Sequence, residues 1–71
     1  MEQFTETNLF ELDLKDRFYF SDDRHKKVWE ITKMERKPLK RGSWAQAQSG
    51  NKIKDFKSDK KVVFLRNAEN N

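Results

Sequence analysis

The sequence predicts an all-β protein, a small antiparallel barrel of five strands. Short runs of β-branched and aromatic residues recur along the 71-residue chain, and clusters of polar turn-forming residues separate them. Strands at such regular intervals in so short a chain are typical of a small barrel. An OB-like barrel is the runner-up, and an α+β fold would follow if residues 43–49 were helical.

A chain of this length forms one domain. We expect a flexible N-terminal segment over residues 1–8, the barrel over residues 9–67 and a polar tail over residues 68–71. The six Phe and two Trp, with the aliphatic residues, suffice for one small core.

The first element of the domain is ambiguous. Phe10, Leu12 and Leu14 share one face at a period of two, which favours an extended segment. A short helix opened by Asn8, with Glu11 three residues later, is the alternative. A turn at residues 15–16 follows.

Two strands come next. Residues 17–20 are a dense run of β-forming side chains, and Phe18 and Phe20 share a face. After the polar loop of residues 21–25, a strand is predicted over residues 26–33, where Trp29 and Ile31 share a face.

Residues 44–48 fit two structures. Ala45 and Ala47 alternate with polar neighbours, which favours a strand with the alanines inward and Trp44 outward. Ser43 followed by Gln46 resembles a helical capping box, so a short helix remains the alternative.

The last two strands are separated by clear turns. The turn at residues 49–51 predicts a hairpin into a strand over residues 52–57. Ile53 and Phe56 break strict alternation there, so we expect a bulge or strand end near Asp55. The run at residues 62–65 is apolar on both faces and predicts a central strand.

Charge is distributed unevenly along the chain. Residues 24–66 hold 14 Lys or Arg against 4 Asp or Glu, and the net charges of residues 1–23 and 24–71, −5 and +9, sum to +4. Such a basic stretch suits an anionic partner. The acidic first third would either cover the basic surface, as an internal mimic of the ligand, or lie on the opposite face.

Catalysis is not expected from this composition. The chain has no Cys and one histidine, His25, so no nucleophile–base pair stands out. Asp22 and Asp23 read as turn residues, since two carboxylates fall short of a calcium site. We therefore expect no catalytic residue, no metal and no small-molecule cofactor. Without an apolar run long enough for a membrane span or signal peptide, we expect a soluble cytoplasmic protein with no membrane partner.

The candidate binding residues lie in the second half of the chain. The irregular stretch around Pro38 is rich in arginine, whose planar fork grips phosphate, and a strand adds two lysines on one face. An outward Trp44 nearby would stack on a base. The predicted nucleic-acid-binding residues are Arg36, Lys37, Lys40, Arg41, Trp44, Lys52 and Lys54. The strand lysines are equally explained as charges that keep a sheet edge soluble.

Residues 12–20, Leu-Asp-Leu-Lys-Asp-Arg-Phe-Tyr-Phe, resemble the turn and first strand of the small SH3-like barrels, including the KOW and Tudor groups. Those families often have a Leu-x-x-Gly-Asp turn at this place, and Lys15 stands where the glycine would be. The resemblance covers the fold only and implies RNA, DNA, methylated tails or other proteins as partners.

Two functions follow as hypotheses. The first is a non-catalytic nucleic-acid-binding module that contacts the phosphate backbone through the basic loop and strand face. The alternative is a protein-interaction module that binds an acidic segment of a partner in a groove or along a strand edge.

Overall fold

The structure is a computed structural model that describes residues 2–35, 43–57 and 59–68. Its strands form one antiparallel sheet in the spatial order β1-β6-β2-β3-β4-β5, and the sheet curls into a half-barrel. A 3₁₀ helix, Leu9–Glu11, connects the first two strands. The strands are β1 (Glu6–Asn8), β2 (Asp16–Phe20), β3 (Trp29–Glu35), β4 (Trp44–Ser49), β5 (Lys52–Lys57) and β6 (Lys61–Asn67).

The all-β antiparallel prediction is confirmed, but the sheet has six strands among the described residues where the sequence predicts five. The additional strand, β1, lies inside the segment expected to be flexible. The side chains of β1 show no apolar alternation, so the sequence pattern does not predict a strand there. The place of β1 in the sheet depends on backbone pairing with β6. The amide of Phe4 donates to the carbonyl of Phe64 at 2.7 Å, and the amide of Phe64 donates to the carbonyl of Thr5 at 2.8 Å.

The prediction of a central strand at residues 62–65 is confirmed by β6, which lies between β1 and β2. Val62 is fully buried and Phe64 is 7% exposed. The last strand in the sequence therefore joins the first two strands of the fold.

The extended segment predicted over residues 10–14 is wrong, because the chain turns through the 3₁₀ helix instead. Leu9 and Leu12, three residues apart, are fully buried and lie in the core, whereas Leu14 is 51% exposed. The helical alternative at Asn8 was nearer to the structure, although the Asn8 side chain makes no capping hydrogen bond.

A bulge in β3 keeps apolar side chains on the core side. The register with β4 shifts between Ile31 and Lys33, and the hydroxyl of Thr32 donates to the carbonyl of Gln46 at 3.2 Å. The extra residue lets Ile31 and Met34, which are three residues apart, both pack against the core. β3 begins at Trp29, later than the predicted residue 26, since residues 21–28 form a folded loop.

The strand interpretation of residues 44–48 is confirmed, with Ala45 and Ala47 fully buried. A two-residue loop, Gly50 and Asn51, joins β4 to β5, and Gly50 takes the positive φ of 58° that such turns require.

The bulge expected near Asp55 is wrong. Every residue of β5 pairs with β4 without a shift in register. The break in alternation arises because Ile53 is on the outer face and 57% exposed, whereas Phe56 packs against the core.

An aromatic cluster holds the curled sheet together. The Phe56 ring on β5 lies 4.7 Å from the Phe20 ring on β2 and 5.2 Å from the Trp29 ring on β3, measured between centroids. Phe18 contacts Phe20 edge-on at 5.3 Å. Because β5 and β2 are not neighbours in the sheet, the contact of Phe56 with Phe20 closes the concave side.

The turn before β2 has a backbone conformation that suits glycine. Lys15 has a φ of 71°, in the left-handed region. The buried carboxylate of Asp16 accepts hydrogen bonds from the amide of Asp13 at 2.7 Å and from Nδ2 of Asn67 at 2.8 Å. Lysine thus adopts a glycine-like conformation at the position where the SH3-like turn has glycine, while the SH3-like assignment itself stays a prediction.

We predict that Phe56→Ala lowers the free energy of unfolding by about 2 kcal/mol, because it removes a half-buried ring from the closing contact. Ile53→Ala is the control on the same strand and should cost less than about 0.5 kcal/mol, since Ile53 is mostly exposed. Chemical denaturation measures both. Equal losses would show that Phe56 does not close the half-barrel.

We also predict that Lys15→Gly raises the free energy of unfolding by about 1 kcal/mol, because glycine relieves the left-handed strain. Lys57→Gly, in the regular part of β5, should lower it by a similar amount. If thermal unfolding showed that both variants lose stability alike, the turn would carry no strain.

Candidate functional site

A groove opens beside the aromatic cluster, between the loop of residues 21–28 and the start of β6. Its volume is about 660 Å³, within the range of pockets that hold small ligands or single chemical groups. The residues that line it are Phe20, Ser21, Asp22, Asp23, Lys27, Trp29, Lys60 and Lys61.

The floor of the groove is aromatic. Phe20 is half-buried, and Trp29 is 6% exposed. The ammonium of Lys27 lies over the indole of Trp29, 5.1 Å from the ring centroid. Phe56 packs against both rings, so contacts within the core hold the floor in place.

Asp23 gives the loop at the groove rim its shape. Its carboxylate accepts hydrogen bonds from the amides of His25 at 3.0 Å and Lys27 at 3.1 Å, and its own amide donates to the carbonyl of Phe20 at 3.0 Å. The amide bonds from His25 and then Lys27 lower the pKa of Asp23 below its ordinary value of 3.8. Lys26 takes a positive φ of 51° between them. This turn directs Lys27 back over Trp29.

The rim carries three lysines and two carboxylates. Lys27, Lys60 and Lys61 are exposed, as is Asp22. The amides of His25 and Lys27 stabilise the ionised carboxylate of Asp23, so the rim sets three lysines against two carboxylates. The amide of Ser21 donates to the carbonyl of Lys61 at 3.1 Å and fixes the loop to β6.

The structure does not describe four of the seven predicted binding residues. Arg36, Lys37, Lys40 and Arg41 lie outside the described ranges.

Trp44 projects from the outer face of β4, as the sequence predicts. It is half-buried, and its Nε1 donates to a carboxylate oxygen of Glu35 at 2.7 Å. It lies opposite Lys57 in the register with β5. Its polar edge is therefore bonded to an acid beside it.

Lys52 and Lys54 lie on the other side of the sheet from Trp44. Lys54 pairs with Ala47, which is buried on the concave side, and Lys52 is two residues away on the same strand. The structure therefore brings the two lysines onto the face that carries Phe56 and the groove floor, and it does not bring Trp44 to them.

The outer face of the sheet around Trp44 is electrically balanced. Arg17 donates to Glu30 at 3.1 Å, and Gln46 donates to Asp55 at 3.2 Å. By register, the charged residues of β2 to β5 on this face are three cations and three carboxylates: Arg17, Lys33 and Lys57, with Glu30, Glu35 and Asp55. A polyanion gains little there.

Three lysines of the groove, Lys27, Lys60 and Lys61, are not among the binding residues predicted from the sequence. Lys27 and Lys60 lie just before β3 and β6, and Lys61 is the first residue of β6, so all three lie where strands begin, at the rim of a barrel. The face on which Lys52 and Lys54 lie could have been predicted from the hairpin. A two-residue loop places Ser49 opposite Lys52 and Ala47 opposite Lys54, so the two lysines share the face of the buried alanines.

The acidic first third of the chain is divided between two places. Asp22 and Asp23 line the groove, whereas Glu11, Asp13 and Asp16 line a second cavity with Arg66 and neighbouring residues. Residues 6–8 are a strand of the sheet, so deleting residues 1–8 would remove structure as well as charge.

Comparison with known proteins finds no match to a protein-family model, to a curated protein or to a solved structure. Among the described residues, no helix is long and apolar enough to cross a membrane.

We predict that Asp23→Ala lowers the free energy of unfolding at pH 7, because the amides of His25 and Lys27 lose their acceptor. The folded-state pKa of Asp23 is depressed, so its contribution is complete above pH 3.8 and is lost as the pH falls through the folded value. Denaturation curves of wild type and variant should therefore differ at pH 7, and the difference should shrink as the pH falls below 3.8.

Asp22→Ala is the matched control for Asp23→Ala, because it removes the adjacent, exposed carboxylate. We expect no comparable loss of stability at either pH. An equal loss in both variants would show that general charge, and not the turn at Asp23, stabilises the loop.

Proposed function

We propose that this protein is a non-catalytic nucleic-acid-binding module that contacts phosphates through the groove rim. The observation that carries the proposal is the combination in one groove of an aromatic floor with three exposed lysines, Lys27, Lys60 and Lys61. Cations that track a phosphate backbone beside an aromatic surface are the usual arrangement in proteins that bind nucleic acid without enclosing it.

The concave side extends the cationic surface. Lys52 and Lys54 are exposed on the same side of the sheet as Phe56. Arg24, in the rim loop, is also exposed, whereas the ammonium of Lys26 lies 5.9 Å from the ring centroid of Tyr19, on the outer face. The proposal keeps Arg36, Lys37, Lys40 and Arg41 as further phosphate contacts on the grounds of sequence alone.

The two faces of the sheet differ in charge balance. The outer face balances its cations with carboxylates, as Arg17 does with Glu30, and the half-buried Trp44 on that face is bonded to Glu35. The groove has three lysines against two carboxylates. The proposal therefore assigns binding to the groove and not to Trp44.

The test is a fluorescence anisotropy titration of short labelled DNA and RNA at low salt, followed by a salt series. Lys60→Gln with Lys61→Gln should weaken binding and reduce the slope of log K against log salt by about 1.4, or 0.7 for each lost phosphate contact to a single strand. The charge-matched control is Lys33→Gln with Lys57→Gln on the outer face, which should change affinity less than about twofold.

Two results would contradict this function. Absence of binding at micromolar protein and low salt would exclude nucleic acid as the partner. Equal losses in the groove pair and the outer-face pair would show that binding follows net charge and has no defined site.

A protein-interaction module is the second candidate, and the edge strand β5 favours it. β5 ends the described sheet and pairs with β4 over six residues without a bulge, so its outer edge offers backbone groups for a seventh strand. Lys52, Lys54 and Lys57 would suit a strand with acidic side chains. A peptide of alternating Glu and Val that binds tightly, while oligonucleotides do not compete, would support this function over the first.

A further inference from the structure

We infer that the groove receives an unpaired base of a single-stranded nucleic acid, with the adjoining phosphates on Lys60 and Lys61. The inference rests on the proposed function and names the substrate class of the same site. It adds that the aromatic floor, and not only the cationic rim, contributes to binding.

Both floor residues line the groove, and the Lys27 side chain covers the indole of Trp29. Phe20 is half-buried, and the Trp29 indole has the Lys27 ammonium 5.1 Å from its centroid. A cation over an indole is attracted by the electron-rich face, and a base that stacks there would replace the contact of the flexible lysine stem with its own. A base can take the place over the floor while Lys27 turns to a phosphate.

The rigidity of the floor also fits this ligand. Phe20 and Trp29 are each fixed by Phe56, with centroid separations of 4.7 Å and 5.2 Å. A fixed aromatic surface binds a flat ring without first having to order its own side chains. The groove volume of about 660 Å³ leaves room for one base with its sugar.

A duplex and an acidic peptide fit the groove less well. In a duplex the faces of the bases are stacked on each other and cannot reach a floor, whereas single strands expose them. An acidic peptide would satisfy the lysines but would leave the rings of Phe20 and Trp29 without a flat partner. The observations therefore favour a single strand.

The experiment uses the Trp44→Phe protein, in which Trp29 is the one remaining tryptophan. Its fluorescence is followed during titration with a short thymidine oligonucleotide, an abasic oligonucleotide of the same length, a duplex of that length and polyglutamate. We expect the thymidine strand to bind about tenfold more tightly than the abasic strand and to quench Trp29.

Two aromatic variants in the same background place the base contact. Phe20→Leu should reduce the preference for bases over the abasic strand while leaving the affinity for the abasic strand unchanged. Tyr19→Leu, the control on the outer face of the same strand, should keep the preference. Thermal unfolding of both variants checks that each is folded. A third variant, Lys27→Gln, leaves the floor intact, and the thymidine strand should still quench its Trp29 fluorescence.

The outcomes separate the inference from the function it rests on. Equal binding of thymidine and abasic strands, or equal binding of duplex, overturns the inference while leaving nucleic-acid binding in place. Loss of the base preference already in Trp44→Phe, relative to wild type, overturns it by moving the contact to the outer face. Quenching by polyglutamate alone overturns both, in favour of an acidic protein partner.

Discussion

The packing of Phe56 against Phe20 and Trp29 is the interaction on which the rest of the structure depends. A domain of this size buries little surface, so few contacts are available to hold the sheet curled. β5 has one neighbour in the described sheet, and Phe56 is its one side chain in the core assembly. Phe20 and Trp29 also form the groove floor, so stability and the proposed binding surface depend on the same contacts.

Much of the fold could be predicted from local sequence because its strands follow the expected alternation. Ala45 and Ala47 showed which face of β4 is buried, and Gly50 marked the hairpin. β1 was not predicted, because its place in the sheet depends on backbone pairing with β6 and its side chains have no apolar pattern. The 3₁₀ helix that buries Leu9 and Leu12 was not predicted, because an element of three residues is too short to show a periodic pattern.

The candidate site was less predictable than the fold, since it is assembled from residues far apart in the sequence. Asp23 could be predicted as a turn residue. Its hydrogen bonds with the amides of His25 and Lys27, which shape the groove rim, are seen only in the folded structure. Trp44 and Lys54 lie on neighbouring strands, and only the pairing register shows that they are on opposite faces of the sheet. Composition showed that the chain is basic, whereas register showed where its cations are opposed by acids.

The position of β6 has a consequence for how the protein is made. The strand nearest the C-terminal side of the sequence lies between β1 and β2, and its amide and carbonyl groups complete the pairing of both. While the chain is being synthesised, β1 and β2 have no strand between them until residues 61–67 have emerged. The β2 to β5 meander can form earlier, but the apolar edge of β2 then stays open to other chains. Translation of residues 61–67 thus supplies the strand that covers this edge of β2 and ends its exposure to other chains.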